Sequence, residues 1–353
     1  MTMPKELSLP TLNRRSLLQG AAALAAAGSL GGISPARAAG QVVVGTWGGD
    51  FAKGLGQSID VQMEALGYKV VQDANTTAAR NGKVIAEQAL PTGSFDVVCV
   101  QPGAAETMAN AGLLEKLDPA KIPNLAKVLP NLRISEYMAP HIFSPTVLIY
   151  NPDTLPEPPK SLGDLLDPKY AGKFAVTDAN YTIVVMAAAL YAAGDIHAID
   201  KGKEVVEKLN ANGLKFFSAD MMAAPLQTGE ITVGLLPLAR VVMWQNQGMN
   251  IKAAFPQEGS IPYIDGMSVP KNAPNKEGAY KYIDVMLGAE AQRIFAEFMG
   301  YLPSIDDAGL TGKTAEQLTL PSPAPKIVLE DYAFTATVQQ ELGEWWKKSI
   351  LGK

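Results

Sequence analysis

The sequence predicts an α/β protein with two lobes, each a mainly parallel sheet flanked by helices. Short apolar strands alternate with helical stretches along most of the chain. The chain has 353 residues, which is long for one domain and comfortable for two. Apolar residues make up 47% of it and charged residues 18%. A large buried core can therefore form, and a disordered polar chain is excluded.

The first elements are predicted in the order β-α-β-α-β. Runs of apolar and β-branched residues predict strands at 41–45, 68–71 and 95–100. Apolar residues at helical spacing predict helices over 55–66 and 76–89. Because these strands are continuously apolar, we expect a parallel sheet that helices cover on both faces.

The middle and the end of the chain continue this alternation. Further strands are predicted at 145–150, 173–177, 214–218, 231–236 and 251–255, and further helices at 183–193 and 199–209. An apolar stripe over 283–298 predicts a helix that Gly300 ends. Residues 311–325, rich in Pro and Thr, predict an irregular connection. Trp345 and Trp346 lie in the last predicted helix and are expected to pack onto a core.

Residues 1–38 are predicted to be a signal peptide of the twin-arginine type. Arg14 and Arg15 precede a run rich in alanine and leucine, and small residues follow at 35–39. This order of charged, apolar and cleavage regions is typical of export signals. A transmembrane anchor is the alternative, but the run is too short and too rich in Gly and Ala to span a bilayer. We expect cleavage after Ala38 and a periplasmic mature protein without membrane insertion.

Composition and motifs disfavour several classes of protein. The net charge of −5, without a basic cluster in the body of the chain, argues against nucleic-acid binding. Cys99 is the only cysteine, which excludes an intrachain disulfide, and its apolar surroundings predict an inert buried thiol. His141 and His197 are the only histidines, and structural or surface roles are expected for both. Nucleophile-elbow, P-loop, dinucleotide and zinc-protease motifs are absent, so we expect no catalytic residue, cofactor or metal.

Four stretches, in order along the chain, carry a resemblance to a known family. They are residues 42–51, 95–118, 144–173 and 255–303, and they include the turn Trp47-Gly48-Gly49-Asp50. Together they resemble the polyamine-type (spermidine/putrescine-like) periplasmic solute-binding proteins of ABC transporters.

The resemblance implies a type II-like periplasmic-binding-protein fold with two hinge crossings and C-terminal helices. Lobe one would combine residues 39–145 with 270–353, and lobe two would be residues 146–269. The crossings would lie near 143–151 and 265–269. Both of these stretches are extended, and short strand connections allow hinges to turn without breaking a core.

The resemblance also implies where an amine would bind. Tyr263 and Asp265 match a tryptophan and an aspartate of the family, whose roles are to stack on the ligand and to hold an ammonium group. A carboxylate in a dry cleft gives a strong charge-assisted hydrogen bond, and a ring face adds cation–π attraction. The alternative for Asp265 is an acid that fixes the hinge backbone.

The second implied part of the site lies in lobe two. Asp178 matches the first of two family acids, but the second acid is replaced by Tyr181, so a long polyamine would lose one anchor. Asp178 could instead cap the following helix.

Residues near the first and third strands complete the implied site. Trp47 matches a tryptophan of the family's site, and Gln101 matches a polar contact. Gly48 and Gly49 would let backbone N–H groups approach the ligand at a helix start. Asp50 is expected to cap that helix or to face the cleft.

Arg240 departs from the polyamine pattern. A guanidinium would repel a cationic ligand but suits a carboxylate or phosphate. The alternative is a surface arginine. If Arg240 and Asp265 both line the cleft, the ligand would be zwitterionic, such as an ω-amino acid, an opine or an aminophosphonate.

The sequence thus predicts a monomeric periplasmic receptor of an ABC importer. It would capture a small amine-containing solute and deliver it to an inner-membrane permease. Three alternatives remain open at this point: a receptor for a zwitterion, a secreted hydrolase that uses Asp178 and Asp265 as a carboxylate pair, and a chemoreceptor partner.

Overall fold

The computed structural model describes residues 40–352, so the predicted signal peptide lies outside the described residues. The strands are β1 (Gln41–Thr46), β2 (Lys69–Ala74), β3 (Val97–Val100), β4 (Ala139–Tyr150), β5 (Phe174–Val176), β6 (Lys215–Phe216), β7 (Val233–Pro237), β8 (Lys252–Ala254), β9 (Pro262–Ser268) and β10 (Leu302–Pro303). The α-helices are α1 (Gly49–Leu55), α2 (Val61–Ala65), α3 (Thr77–Ala86), α4 (Pro102–Asn110), α5 (Tyr181–Ala193), α6 (Ile199–Ala211), α7 (Ala223–Thr228), α8 (Leu238–Asn246), α9 (Lys276–Met286), α10 (Ala289–Met299), α11 (Gly312–Leu318) and α12 (Tyr332–Trp345). Two π-helical segments, Gly56–Asp60 and Trp346–Leu351, follow α1 and α12.

The strands form one mixed sheet in the order β2-β1-β3-β9-β4-β7-β5-β6, with β8 and β10 paired to β4. The strands β2-β1-β3 at one end are parallel to each other, and so are β7-β5-β6 at the other end. The parallel strands predicted from the sequence are thus confirmed. Between them, β9 and β4 pair antiparallel with each other and with their outer neighbours, β3 and β7. Antiparallel pairing needs no helical crossover, and it lets the chain pass directly between the two ends.

The long strand β4 belongs to both ends of the sheet. Its first residues, up to Pro145, pair with β9, whereas Thr146–Tyr150 pair with β7. All of its residues are buried. This change of partner falls within the predicted crossing at 143–151, and β9 overlaps the second predicted crossing.

Two principal apolar clusters lie on the sheet. The larger one includes β1, β3, α9 and α10, and it continues along β4 toward α8. The second cluster packs α5 and α6 on β5 and β7, and the chain end joins it through Leu342, Trp346 and Ile350. Trp346 is only 2% exposed, and Trp345 packs at the edge of the same cluster, so the prediction that both pack onto a core is confirmed.

The structure differs from the predicted elements near the C-terminus. The helix predicted over 283–298 is two helices, because α10 begins afresh after Gly288. The predicted irregular connection contains α11. Gly300 ends α10 in the left-handed conformation as predicted, and a Cβ there would lie 2.9 Å from Val242. Among residues 40–352, no helix is long and apolar enough to cross a membrane.

Candidate functional site

A cavity of about 410 Å³ lies where β4 and β9 cross the centre of the sheet. Thr146, Tyr263 and Ile264 line it from these strands, and the end of β7 contributes Leu235–Pro237. The first turns of α4, α5 and α12 close its other sides. The cavity therefore joins segments from both ends of the sheet, at the predicted crossings.

Two of these helices begin at the cavity without a side-chain cap. Gln101 precedes α4 and Asn180 precedes α5, and neither side chain accepts a hydrogen bond from its helix. The start of α12 is capped by Asp331, which accepts from Phe334 N–H. Free N–H groups at a helix start carry partial positive charge. The cavity wall is therefore electropositive at the starts of α4 and α5.

Asp265 is a buried carboxylate without a hydrogen-bond partner. Its position on β9 is fixed by pairing with Ile142 on β4, and its neighbour Gly266 pairs with Val100 on β3. Asp265 is 1% exposed, and neither of its oxygens makes a hydrogen bond. Burial raises the pKa of Asp265 well above its ordinary value, although the Gly266 N–H and the Arg80 guanidinium partly oppose the rise. Such a group is stabilised when a cation or a donor reaches it.

Arg80 lies within electrostatic reach of Asp265, and it was not among the residues predicted for the site. Its side chain is fully buried, with Nε donating to Cys99 O at 2.8 Å and one terminal nitrogen donating to Asn75 O at 3.1 Å. The other terminal nitrogen has no partner. Burial lowers the pKa of this guanidinium, and the charge of Asp265 partly opposes the change. A signal existed in the sequence, because Arg80 lies one helical turn before the buried Val84, on the apolar face of α3.

Aromatic residues lie around Arg80 and Asp265. The Arg80 guanidinium carbon lies 4.2 Å from the centre of the Trp47 ring, and Trp47 Nε1 donates to Thr77 Oγ1 at 2.9 Å. Tyr263 is half-buried on β9, with its ring 6.0 Å from that of Tyr301. Burial and the nearby carboxylate of Asp265 raise the pKa of Tyr263, and a hydrogen bond with Gln101 partly opposes the rise. The structure thus brings together four residues predicted for the site, namely Trp47, Gln101, Tyr263 and Asp265.

The turn after Trp47 is open to solvent. Gly48 and Gly49 are exposed, and Gly49 has a φ of +65°, which favours glycine. Asp50 is also exposed and pairs with Lys53 at 2.9 Å. The expected capping role of Asp50 is wrong, because Gly48 occupies the cap position and no side chain caps α1.

The predicted residues near α5 and α8 have other surroundings. Asp178 is exposed, and its expected role as the cap of α5 is wrong, because Asn180 holds that position without a side-chain hydrogen bond. The Tyr181 hydroxyl donates to Gln339 O at 3.2 Å, which ties α5 to α12. Arg240 pairs with Asp220 at 2.5 Å.

Glu330 and Tyr332 line the cavity from the segment that leads into α12, and the sequence analysis missed both. Burial raises the pKa of the Glu330 carboxyl, and the Thr335 side chain beside it partly opposes the rise. This segment is joined to the cavity only by tertiary packing, so no local pattern could have indicated it.

The cysteine and the two histidines of the chain, Cys99, His141 and His197, differ in their burial. Cys99 is fully buried, and burial raises its thiol pKa, which confirms the prediction of an inert cysteine. His141 is 1% exposed and packs against Phe51 and Phe295, and burial lowers its pKa to about 3. His197 is exposed. Within residues 40–352, no three His, Cys, Asp or Glu side chains cluster as metal ligands would.

Comparison with known proteins agrees with this geometry. Residues 94–330 match the model of the bacterial extracellular solute-binding protein family. The chain is 28% identical over 220 residues to the spermidine/putrescine-binding periplasmic protein of Escherichia coli (strain K12). The aligned region covers 59% of this chain and 63% of that protein. The chain therefore spans slightly less than two thirds of the length of this relative.

Two further relatives carry a different ligand in their names. The gamma-aminobutyric acid-binding protein of Pseudomonas aeruginosa is 25% identical over 274 residues, covering 75% of this chain and 68% of that protein. The solved structure of the Atu4243-GABA receptor superimposes with a TM-score of 0.76 at 25% identity, covering 88% of this chain and 97% of the other. The resemblance seen in the sequence is confirmed, and this chain belongs to the bacterial extracellular solute-binding protein family, with its two-lobed α/β fold.

Proposed function

We propose that this chain is the periplasmic substrate-binding component of an ABC importer. It captures a small amine-containing solute between its lobes and delivers it to an inner-membrane permease. One observation carries this proposal, namely the buried and unpartnered carboxylate of Asp265, two residues along β9 from Tyr263, which lines the cavity. An ammonium group satisfies that carboxylate by a charge-assisted hydrogen bond.

The relatives support an amine as the common feature of the ligand. Spermidine and putrescine, in the name of one relative, and gamma-aminobutyric acid, in the names of two others, all carry an amino group. The family consists of solute-binding proteins, so the secreted-hydrolase alternative has no support. Asp178 is moreover exposed whereas Asp265 is buried, which does not resemble a fixed catalytic pair.

We propose the lobes as the sequence predicts them, with residues 39–145 and 270–353 as lobe one and residues 146–269 as lobe two. The strands β4 and β9 are the hinge crossings, which supports closure of the lobes around the cavity. The helix α12 packs its last turn on the core of lobe two, so it spans the two lobes. Export by the twin-arginine signal and a monomeric state remain parts of the proposal.

Binding proceeds through groups of this chain alone. The ammonium end displaces the proton that burial keeps on Asp265, and the Tyr263 ring covers the methylene groups next to it. Glu330, on the cavity wall, attracts the cation during entry. Because Tyr181 replaces an acid and is engaged with α12, the site suits a short ligand better than a long polyamine.

Titration calorimetry of the purified protein tests the proposal. The ligands are putrescine, spermidine and 4-aminobutyrate, and the bound ligand is recovered and identified by mass spectrometry. We expect one site per chain for at least one of them and recovery of the ligand unchanged. Failure of all three to bind at millimolar concentration, or chemical conversion of the ligand, would contradict the proposal.

A further inference from the structure

His197 lies in the turn between α5 and α6, and each of its ring nitrogens faces a carboxylate. Its Nδ1 lies 2.8 Å from Asp195 Oδ1 in the same turn, and its Nε2 lies 3.2 Å from Asp331 Oδ2. The ring also packs edge-on against that of Phe334 in α12, with the centroids 4.6 Å apart. A single side chain thus connects the turn before α6 to the start of α12.

This geometry suits only the charged form of the imidazole. Asp195 accepts a hydrogen bond from the backbone N–H of His197, which lowers the pKa of its carboxyl. Asp331 accepts one from the Phe334 N–H, with the same effect on its pKa. Both acids are therefore ionised at neutral pH and can only accept hydrogen bonds. A neutral imidazole has one N–H and serves one of them, whereas the imidazolium serves both.

Asp331 fixes the start of α12, which forms part of the cavity wall. Its Oδ1 accepts from the Phe334 N–H at 2.9 Å, and its carbonyl oxygen accepts from the Thr335 N–H at 2.8 Å. Its neighbours in the chain, Glu330 and Tyr332, both line the cavity, and so does Thr335. A displacement of Asp331 therefore moves the cavity wall on both sides of it.

We propose that His197 is a positioning residue of the ligand cavity, which as an imidazolium holds Asp331 and thereby the cavity wall on either side of it. This inference rests on the proposed function and adds a regulation to the same site. When His197 loses its proton, the remaining N–H stays with Asp195, because that contact is shorter and lies within one turn. The lone pair on Nε2 then faces the Asp331 carboxylate. The connection to α12 is lost, and ligand affinity falls.

Other charged side chains line the groove between α6 and α12 beside His197. They are Asp200, Lys201, Lys203 and Glu341. Their charges sum to zero, so the two aspartates that contact the ring remain the main influence on its protonation, and they raise the pKa of His197. Lys203 pairs with Glu341 at 3.1 Å and lies 3.7 Å from Asp200. This pair connects α6 to α12 without a histidine and provides a matched control.

The affinity of the site as a function of pH tests the inference. Putrescine, spermidine and 4-aminobutyrate are titrated by calorimetry into the wild type and into His197→Gln, which keeps a donor that does not titrate. At about pH 6 the wild type should bind its best ligand about two- to fivefold more tightly than the variant, the range for an exposed ion pair. At about pH 8.5 the two proteins should bind it nearly equally. Titration of the ligand and of Asp265 affects both proteins alike, so the ratio reports His197.

Linkage provides a second readout that a merely structural role would not change. If protonated His197 favours binding two- to fivefold, the ligand must raise the pKa of His197 by about 0.3 to 0.7. NMR titration of the imidazole signals, in protein without a histidine tag, measures this change. The sequence contains only two histidines, and the other one, His141, is buried.

Two further variants identify the partner through which His197 acts. Asp331→Asn keeps a side chain that can cap α12 but removes the charge. It should abolish the pH-dependent difference, and combining it with His197→Gln should weaken binding at pH 6 no further than either change alone. Lys203→Gln breaks the neighbouring connection of α6 to α12, and it should keep the pH dependence of the wild type.

Several results would overturn the inference. A ratio of affinities that stays constant between pH 6 and pH 8.5, or a pKa of His197 that is unchanged at saturating ligand, would contradict it and leave the proposed function standing. Loss of the pH dependence in Lys203→Gln would assign the effect to the groove as a whole and contradict it too. A wild type that binds none of the three ligands at either pH would overturn both.

Discussion

The central strands of the sheet, β3, β9 and β4, and the surroundings of Asp178 and Arg240 contribute differently to the predicted site. Tyr263 and Asp265 on β9, together with Gln101 at the end of β3, lie beside the cavity or beside one another. Asp178, implied by the same resemblance, is exposed, and Arg240, which departs from the family pattern, is paired with Asp220. Strand positions are fixed by pairing on both sides, because a shift of one residue would turn every side chain to the other face. Helix starts and loops have no such constraint.

The same contrast separates Asp265 from Asp178, and His141 from His197. Asp265 and His141 lie buried on β9 and β4, which pair with each other. Asp178 and His197 lie exposed at the starts of helices or in the loops before them. Each buried group can therefore be compared with an exposed group of the same type.

The largest expected effect is on ligand binding. Asp265→Asn should weaken binding of the best amine ligand at least about thirtyfold, because it removes the buried charge that holds the ammonium. Asp178→Asn should change the affinity less than about threefold, as is usual for an exposed charge. Calorimetry at neutral pH measures both. Equal losses in the two variants would remove the distinction between the central strands and the surroundings of Asp178 and Arg240.

The next effect is on stability in acid. Burial lowers the pKa of His141 from 6.5 to about 3. Below about pH 6.5 the unfolded chain therefore binds a proton at this residue that the folded chain does not bind. Stability is lost as the pH falls from 6.5 toward 3. The loss attributable to His141 is up to about 1.4 kcal/mol per pH unit. His141→Phe should reduce this loss in urea unfolding curves measured between pH 7 and pH 5.

His197 provides the comparison of opposite sign. Hydrogen bonds with Asp195 and Asp331 raise the pKa of His197, so its contribution to stability is present in acid and is lost as the pH rises through its folded value. His197→Gln should therefore lower stability slightly at pH 5 and hardly at all at pH 8. An acid response of His141→Phe that matches the wild type would contradict the assignment of His141 as a neutral buried group.

The smallest effect is a gain in stability when the site is removed. Because the pKa of Asp265 is raised from 3.8, the folded chain keeps a proton that the unfolded chain releases above about pH 4. Stability therefore falls as the pH rises from about 4 toward the pKa of Asp265 in the folded chain. Asp265→Asn lacks this loss, so its Tm should exceed that of the wild type by at least about 2 °C at pH 7 and by less at pH 4. Asp178→Asn should leave Tm within about 1 °C. A lower Tm for Asp265→Asn at pH 7 would indicate that Asp265 fixes the hinge backbone instead.

The sequence predicted the parts of the fold that depend on local pattern. Apolar runs located β1, β3 and β7, and the spacing of apolar residues located α5 and α6. The strand β9 was expected only as an extended crossing, because Asp265 and Gly266 interrupt its apolar pattern. The candidate binding residue thus weakens the strand signal at its own position.

The family resemblance named candidate residues on strands or directly after them. The structure brings four of these together, namely Trp47, Gln101, Tyr263 and Asp265, and their roles stay predictions. Glu330 was missed because tertiary packing alone brings it to the cavity. Arg80 was missed because arginine side chains are mostly exposed in proteins. Its position on the apolar face of α3 was nevertheless informative.

The account rests on an ammonium group that replaces a proton on Asp265, and proton release on binding tests this most directly. The measurement is titration calorimetry at about pH 5 with the best amine ligand, in two buffers of different ionisation enthalpy. Because burial raises the pKa of Asp265, we predict that binding releases protons and that affinity increases with pH. Binding enthalpies that are equal in the two buffers after correction for dilution, together with an affinity independent of pH, would contradict the account.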